Sequence, residues 1–204
     1  MTSTERPSAT TDYQATIRVE ASADALFDAL TTVTGLAAWW NPATGSGEAG
    51  GELRFIMNAP EPLVIHVDEA TRPKSVRWTV TECPFLSDWE GTRPTFTINP
   101  VDGGPSELHF RHHGLHEDME CIDMCTRSWN HYMTSLRDYV EAGHGSPFGS
   151  PADRARRARA SASAREQLRC ASIRKHSSPQ SLSRCSSCSR TAVCSARQPV
   201  SRPR

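Results

Sequence analysis

The sequence lacks any apolar run close to the roughly 20 residues that a membrane-spanning helix needs, so no membrane partner is expected. The N-terminus is rich in Ser, Thr and Pro and has no apolar centre of the kind found in secretory signal peptides. The hydrolase signatures GxSxG and HExxH and the P-loop signature of nucleotide-binding proteins are also missing. These absences predict a cytoplasmic protein without a cofactor, whose thiols stay reduced.

Aromatic residues are absent after Phe148, and the charge changes sign at the same place. Residues 1–150 contain 10 Lys and Arg against 21 Asp and Glu, a net charge of −11, whereas residues 151–204 contain 13 against 2, a net charge of +11. The overall charge of zero is therefore a cancellation between two unlike segments. The acidic part is not expected to bind nucleic acid, because phosphates require Lys and Arg.

These changes in composition predict three regions: a disordered N-terminus at 1–11, a folded domain at 12–148 and a disordered basic tail at 149–204. The tail is rich in Arg, Ser and Cys and has too few apolar residues to bury a core of its own. This composition is typical of a GC-rich gene read out of frame. A frameshift origin is therefore favoured over a functional disordered tail.

The pattern of apolar residues predicts an α+β fold. Alternation at 13–20 predicts a strand, and Ser22 can cap the first of two short helices, the second of which ends at the Asn-Pro pair 41–42. Five short alternating runs then extend to about residue 114, separated by turn residues. Apolar residues at spacings of 3 and 4 predict a long helix at 115–143. Such an order favours an antiparallel sheet with the last helix covering one face.

Four stretches of this chain, in order, resemble a known superfamily: TVTGLAAWWNP, GGELRF, LHFRHHGL and ECIDMCTRSWNHYMTSLRDYVEAGHGSPF. They are similar to the SRPBCC (START-like) superfamily, in the branch that resembles the C-terminal domain of the Hsp90 ATPase activator. The resemblance covers about residues 12–148. It implies a helix-grip fold, in which a curved antiparallel sheet wraps around the long C-terminal helix and leaves an apolar cavity. Superfamily members bind lipids, polyketides, hormones or other apolar ligands, and some are cyclases or hydrolases, so the fold alone does not decide the function.

The segment FRHHGLH is the first candidate site. In a strand, His109, Arg111 and His113 face one way, towards solvent, while Phe110 and His112 face the helix. The adjacent His112 and His113 therefore cannot chelate one metal ion together, and no metal site is predicted. His112 has three interpretations: a hydrogen-bonded core histidine, a polar contact for a ligand, or a weak candidate for a general acid or base.

Cys121 and Cys125 lie four residues apart on the predicted helix. Their Cβ atoms would be about 5–6 Å apart, which is too far for a disulfide, whose Cβ atoms lie about 3.5–4.5 Å apart. We interpret them as small buried residues, with a thiolate metal or redox site that includes His112 as the alternative. Cys83 is too distant in the chain to be assigned to either.

The five tryptophans are compatible with a plain core or with the lining of a cavity for a flat or elongated ligand. One of Trp39 and Trp40 is expected to point inward and the other across the cavity mouth. The predicted ligand-binding residues are Trp40, Phe55, Met57, Ile65, Trp78, Phe96, Phe110, His112, Cys125, Trp129 and Met133.

Three functions stay open at this point. The first is non-enzymatic binding of a small apolar molecule between the long helix and the sheet. The second is a cyclase- or hydrolase-type enzyme that uses His112 as acid or base. The third is an interaction module resembling the Hsp90 activator, whose partner would be a chaperone or regulatory protein; a homodimer is a further partner to consider.

Overall fold

The computed structural model of the protein describes residues 12–57, 59–101 and 104–176. The chain divides into two compact units, Met1–Arg154 and Ala155–Arg204. The strands are β1 (Tyr13–Val19), β2 (Ala43–Gly45), β3 (Glu52–Phe55), β4 (Leu63–Thr71), β5 (Ser75–Glu82), β6 (Arg93–Pro100) and β7 (Ser106–His113). The helices are α1 (Ala23–Thr31), α2 (Val33–Trp39), α3 (Ile122–Ala142) and α4 (Pro151–His176), with a 3₁₀ turn at Ser87–Trp89.

All seven strands form one curved, open antiparallel sheet in the order β1-β7-β6-β5-β4-β3-β2. The first and last strands are neighbours, with Tyr13 opposite His112 and Val19 opposite Ser106. The predicted α+β, helix-grip fold is thereby confirmed. The three-residue strand β2 was not predicted, because it is too short to show an alternating pattern.

Strand β7 follows the alternation that its sequence predicts. Ser106, Leu108, Phe110 and His112 are buried, and the residues between them face outward. The same alternation runs through β5 and β6, so one face of the sheet is apolar and the other is polar. The apolar face is the one that carries the core.

Helix α3 begins seven residues later than predicted. The backbone N–H of Tyr13 donates to the carbonyl of Leu115 at 3.0 Å, so Leu115 extends the pairing of β1 instead of starting the helix. Gly114, with a φ of 87°, makes the turn that this pairing requires. The predicted end of the helix is correct, because Gly143 caps it in the left-handed conformation with a φ of 76°.

The C-terminal segment contains a fourth helix, α4. Helix α4 starts after Ser150, whose side-chain oxygen accepts from the backbone N–H of Asp153 at 3.2 Å, and Pro151 occupies the first helical position. Its many Ala and Arg residues favour a helix even without an apolar stripe. Residues 177–204 lie outside the described part of the chain, as does the predicted N-terminal segment 1–11. Within the described part, none of the helices combines the length and apolarity that a bilayer crossing requires.

Candidate functional site

Six aromatic side chains connect α3 to the sheet, and we call them the aromatic core. They are Trp40, Phe55, Trp78, Phe96, Phe110 and Trp129, and all are buried. Their ring centroids form a closed circuit of contacts: Trp40–Trp78 at 5.8 Å, Trp78–Phe96 at 4.8 Å, Phe96–Phe110 at 4.8 Å, Phe110–Trp129 at 4.5 Å and Trp129–Trp40 at 5.3 Å. Phe55 packs on Trp40 with 4.4 Å between centroids. These separations are those of rings in direct contact.

The other apolar residues assigned to the ligand site belong to the hydrophobic core of the domain, of which the aromatic core is a part. Ile65, Cys125 and Met133 are buried in this larger core, and the partly buried Met57 packs against it. The structure therefore brings all the predicted lining residues together. Because the aromatic rings touch one another, a molecule placed among them would have to separate them.

Both tryptophans of the adjacent pair are buried, which differs from the expectation that one would lie across a cavity mouth. The indole N–H of Trp39 donates to the carbonyl of Ala29 at 2.9 Å, so this side chain fixes α2 against α1. Trp40 turns the other way into the aromatic core and stacks on Trp78. The rings of Trp39 and Trp40 also pack on each other, with 5.9 Å between their centroids.

His112 takes part in a chain of hydrogen bonds whose proton positions can be assigned. The indole N–H of Trp129 donates to Nδ1 of His112 at 3.0 Å. An indole nitrogen can only donate, so Nδ1 carries no proton and Nε2 does. Nε2 lies 2.9 Å from Oγ1 of Thr92, whose own hydroxyl donates to the carbonyl of Trp89 at 2.6 Å. Both ring nitrogens of His112 are thus used inside the protein.

The surroundings of His112 keep the imidazole neutral. It is fully buried, and burial lowers its pKa to about 3, although the negative charge of Asp12 opposes the shift. The cationic form would also place a proton on Nδ1, opposite the indole N–H of Trp129. An imidazole with this pKa is not in its cationic form near pH 7, so it cannot serve there as an imidazolium general acid.

Three buried thiols lie near the start of α3, where the sequence had suggested two. Cys83 follows β5 in the chain and joins Cys121 and Cys125 there, each as a free cysteine. Burial raises the pKa of Cys125 to about 12, and its hydrogen bond with Cys121 acts in the same direction; the indole N–H of Trp89 donates to its Sγ at 3.3 Å. Burial likewise raises the pKa of Cys83 to about 11. Both thiols are therefore poor nucleophiles.

In the part of the chain that is described, no three His, Cys, Asp or Glu side chains converge in a way that could hold a metal ion. The surface histidines lie where the alternation predicts, on the outer side of β7. Nε2 of His109 lies 2.7 Å from a carboxylate oxygen of Glu107, and Nδ1 of His113 lies 3.3 Å from one of Asp12.

A groove on the polar face of the sheet, which we call the outer groove, was not anticipated from the sequence. Its volume is about 460 Å³, and it is lined by Asp68, Arg77, Thr79, Arg93, Thr95 and His113. These residues come from four strands, β4 to β7, so only the assembled sheet brings them together.

Comparison with proteins of known structure gives matches along most of the folded unit. The solution structure of the Aha1 dimer from Colwellia psychrerythraea is 28% identical, with a TM-score of 0.58, and the match covers 66% of this chain and 99% of that one. Protein BH1534 from Bacillus halodurans is 21% identical, with a TM-score of 0.52, over 64% of this chain and 97% of its own. Protein MLL2253 from Mesorhizobium loti is 15% identical, with a TM-score of 0.53, over 62% and 95%. The last two show the fold alone.

No curated protein matches the chain. Residues 20–141 match the protein family described as activator of Hsp90 ATPase homolog 1-like protein, AHSA1. The match spans more than half of the chain and includes every strand from β2 to β7, α1, α2 and all but the last residue of α3. The chain therefore belongs to the AHSA1 family.

Proposed function

We propose that the folded unit is a non-enzymatic protein-binding module that acts through its surface. The closed circuit of ring contacts in the aromatic core carries this proposal. A ligand among these rings would break contacts that contribute about 0.5–1.5 kcal/mol each beyond the burial of their area. The aromatic rings of the interior pack on one another, so we assign recognition to the outside of the domain.

The hydrogen bonds of His112 support the non-enzymatic part of the proposal. A general acid or base must exchange a proton with its substrate. Both nitrogens of this ring are instead hydrogen-bonded to Trp129 and Thr92. Its low pKa leaves it neutral at physiological pH. The histidine acts as a structural group between α3 and the sheet.

The first partner to test is a second copy of the chain, because the Colwellia neighbour is described as a dimer. The second is an Hsp90-type chaperone, for which the family is named. Sedimentation velocity of the full chain over about a hundredfold range of concentration would separate a monomer of 22.5 kDa from a species of twice that mass. The ATPase rate of an Hsp90, measured with and without the chain, tests the other partner. A monomer throughout, together with an unchanged ATPase rate, would refute this proposal.

A different observation favours a second candidate, the binding of a small apolar molecule that carries one polar group. Among the described residues, both side-chain polar atoms of Asn41 and the indole nitrogen of Trp78 are buried without a hydrogen-bond partner. A buried polar group left unpaired costs about 1–3 kcal/mol. A ligand that hydrogen-bonded to these atoms would remove that cost, and the predicted lining residues would form its site.

Native mass spectrometry of the full chain, purified without added ligand, distinguishes the two candidates. The second candidate requires an additional mass of a few hundred daltons that disappears when the same sample is denatured. The exchange Asn41→Leu would weaken retention of that mass, whereas the surface exchange Glu52→Gln, on β3, would not. A single mass equal to that of the bare chain in both conditions contradicts the second candidate.

A further inference from the structure

The outer groove contains an arginine whose charge has no partner among the described residues. Arg93 forms no ion pair in the described part of the chain, unlike the two arginines on the neighbouring strands. Arg77 on β5 lies 3.0 Å from a carboxylate oxygen of Glu69, and Arg111 on β7 lies 2.8 Å from one of Asp12. Arg93 is therefore the guanidinium of this groove that is available to an external anion.

An unpaired hydroxyl lies on the same face, two residues along β6. Oγ1 of Thr95 is buried and has no hydrogen-bond partner among the described residues. In the strand register, Thr95 lies opposite Arg77 of β5 and Arg111 of β7. Arg93 lies opposite His113 of β7. A smaller groove of about 260 Å³ continues from Thr95 and His113 towards β1. Arg93 and Thr95 thus line the same groove, and neither side chain has a polar partner among the described residues.

We propose that the outer groove binds a carboxylate, held by the guanidinium of Arg93 and the hydroxyl of Thr95. A planar guanidinium matches the two oxygens of a carboxylate, and hydrogen bonds between charged groups are the stronger ones. A carboxylate suits the groove better than a phosphate dianion because Asp68 also lines it. The carboxylate of Asp68 already accepts from the hydroxyl of Thr79 at 2.7 Å, and it repels a dianion more strongly than it repels a singly charged carboxylate.

The carboxylate can come from a free small acid or from an acidic side chain of a polypeptide. In either case the site lies on the sheet face opposite the aromatic core, because Arg93 and Thr95 alternate along β6 with the buried Pro94 and Phe96. The proposed carboxylate site is therefore independent of whether the interior binds a ligand.

The test is an NMR titration of the isotope-labelled full chain with sodium acetate, at an ionic strength kept constant with chloride. We expect saturable shifts confined to amides of β4–β7 around the groove. Arg93→Gln and the nearly isosteric Thr95→Val should each weaken acetate binding about fivefold, with the remaining amide spectrum unchanged. The matched control Arg54→Gln removes another exposed arginine, which pairs with Glu52 on β3, and it should have no effect.

Two further titrations determine which kind of anion the groove binds and whether it comes from a polypeptide. Inorganic phosphate should bind more weakly than acetate, and tighter phosphate binding would overturn the carboxylate assignment. An acetylated tetraglutamate peptide that shifts the same amides more tightly than acetate identifies a polypeptide as the source, and equal affinity identifies a small acid. Shifts spread over all basic residues, or a loss in Arg54→Gln equal to that in Arg93→Gln, would overturn the site itself.

Discussion

Acidification should destabilise the folded unit through His112, by an amount that can be calculated. An unfolded histidine has a pKa near 6.5, whereas burial holds the folded one at about 3. Between these values only the unfolded chain binds a proton at this position. The free energy of unfolding therefore falls as the pH decreases from about 6.5 towards 3. Between about pH 7.5 and pH 5 this single group lowers it by about 2 kcal/mol.

Urea unfolding followed by tryptophan fluorescence at these two pH values measures the effect. Other groups titrate in the same range, so the informative quantity is the difference in pH dependence between the wild-type protein and His112→Asn. The asparagine oxygen can accept from the Trp129 indole, but the contact with Thr92 is lost. We expect the variant to be less stable at pH 7.5 and to lose about 2 kcal/mol less on acidification. His109→Gln, which removes an exposed histidine of the same strand, is the matched control for the loss of an imidazole.

Equal pH dependence in the wild-type protein and His112→Asn would refute the reasoning. Should that variant fail to fold, nitrogen NMR of the wild-type histidines gives the same information. The ring of His112 should keep the signature of the neutral form protonated at Nε2 from about pH 7.5 to pH 5. A titration of His112 near pH 6.5 would show that the buried network does not hold it neutral.

Three further predictions concern a tryptophan, a helix-capping glycine and two buried cysteines. Trp129→Phe leaves Nδ1 of His112 without its donor, and urea unfolding should show a loss of about 2 kcal/mol. A smaller loss, about 1 kcal/mol, is expected for Gly143→Ala, because a Cβ there meets no neighbouring atom and only the backbone conformation resists it. Iodoacetamide at about pH 8, with peptide mapping by mass spectrometry, should label Cys83 and Cys125 at least tenfold more slowly in the folded chain than in urea, since burial raises the pKa of both thiols. Equal labelling rates in the two states would contradict the burial of these cysteines.

The fold could be predicted because its determinants are local. Alternation along β7 predicts that Phe110 and His112 face the core, and both are buried. The features that were missed depend on contacts between distant segments. Helix α3 starts late because the carbonyl of Leu115 accepts a hydrogen bond from Tyr13, a residue about a hundred positions earlier. The apolar pattern of the helix contains no sign of this hydrogen bond.

The site could be predicted only in part, for the same reason. Alternation identifies His112 as inward-facing, but its role depends on Thr92 and Trp89, which lie in the connection before β6. Cys83 reaches the other two thiols through that same connection, so sequence spacing offered no reason to group it with them. The outer groove draws on four strands, and each contributes residues that would be unremarkable on any exposed strand face.

The hydrogen bonds around His112 also bear on how the interior can be used. They join α3, β7 and the connection between β5 and β6, and Trp89 extends the same set of contacts to Cys125 at the start of the helix. Apolar packing alone tolerates small shifts of a helix over a sheet, whereas a fully satisfied polar network favours one arrangement. A molecule entering the aromatic core would have to move Trp129 and so break its bond to His112. The indole N–H resonance of Trp129 therefore distinguishes the two candidate functions: a surface partner should leave it unchanged, and an interior ligand should shift it.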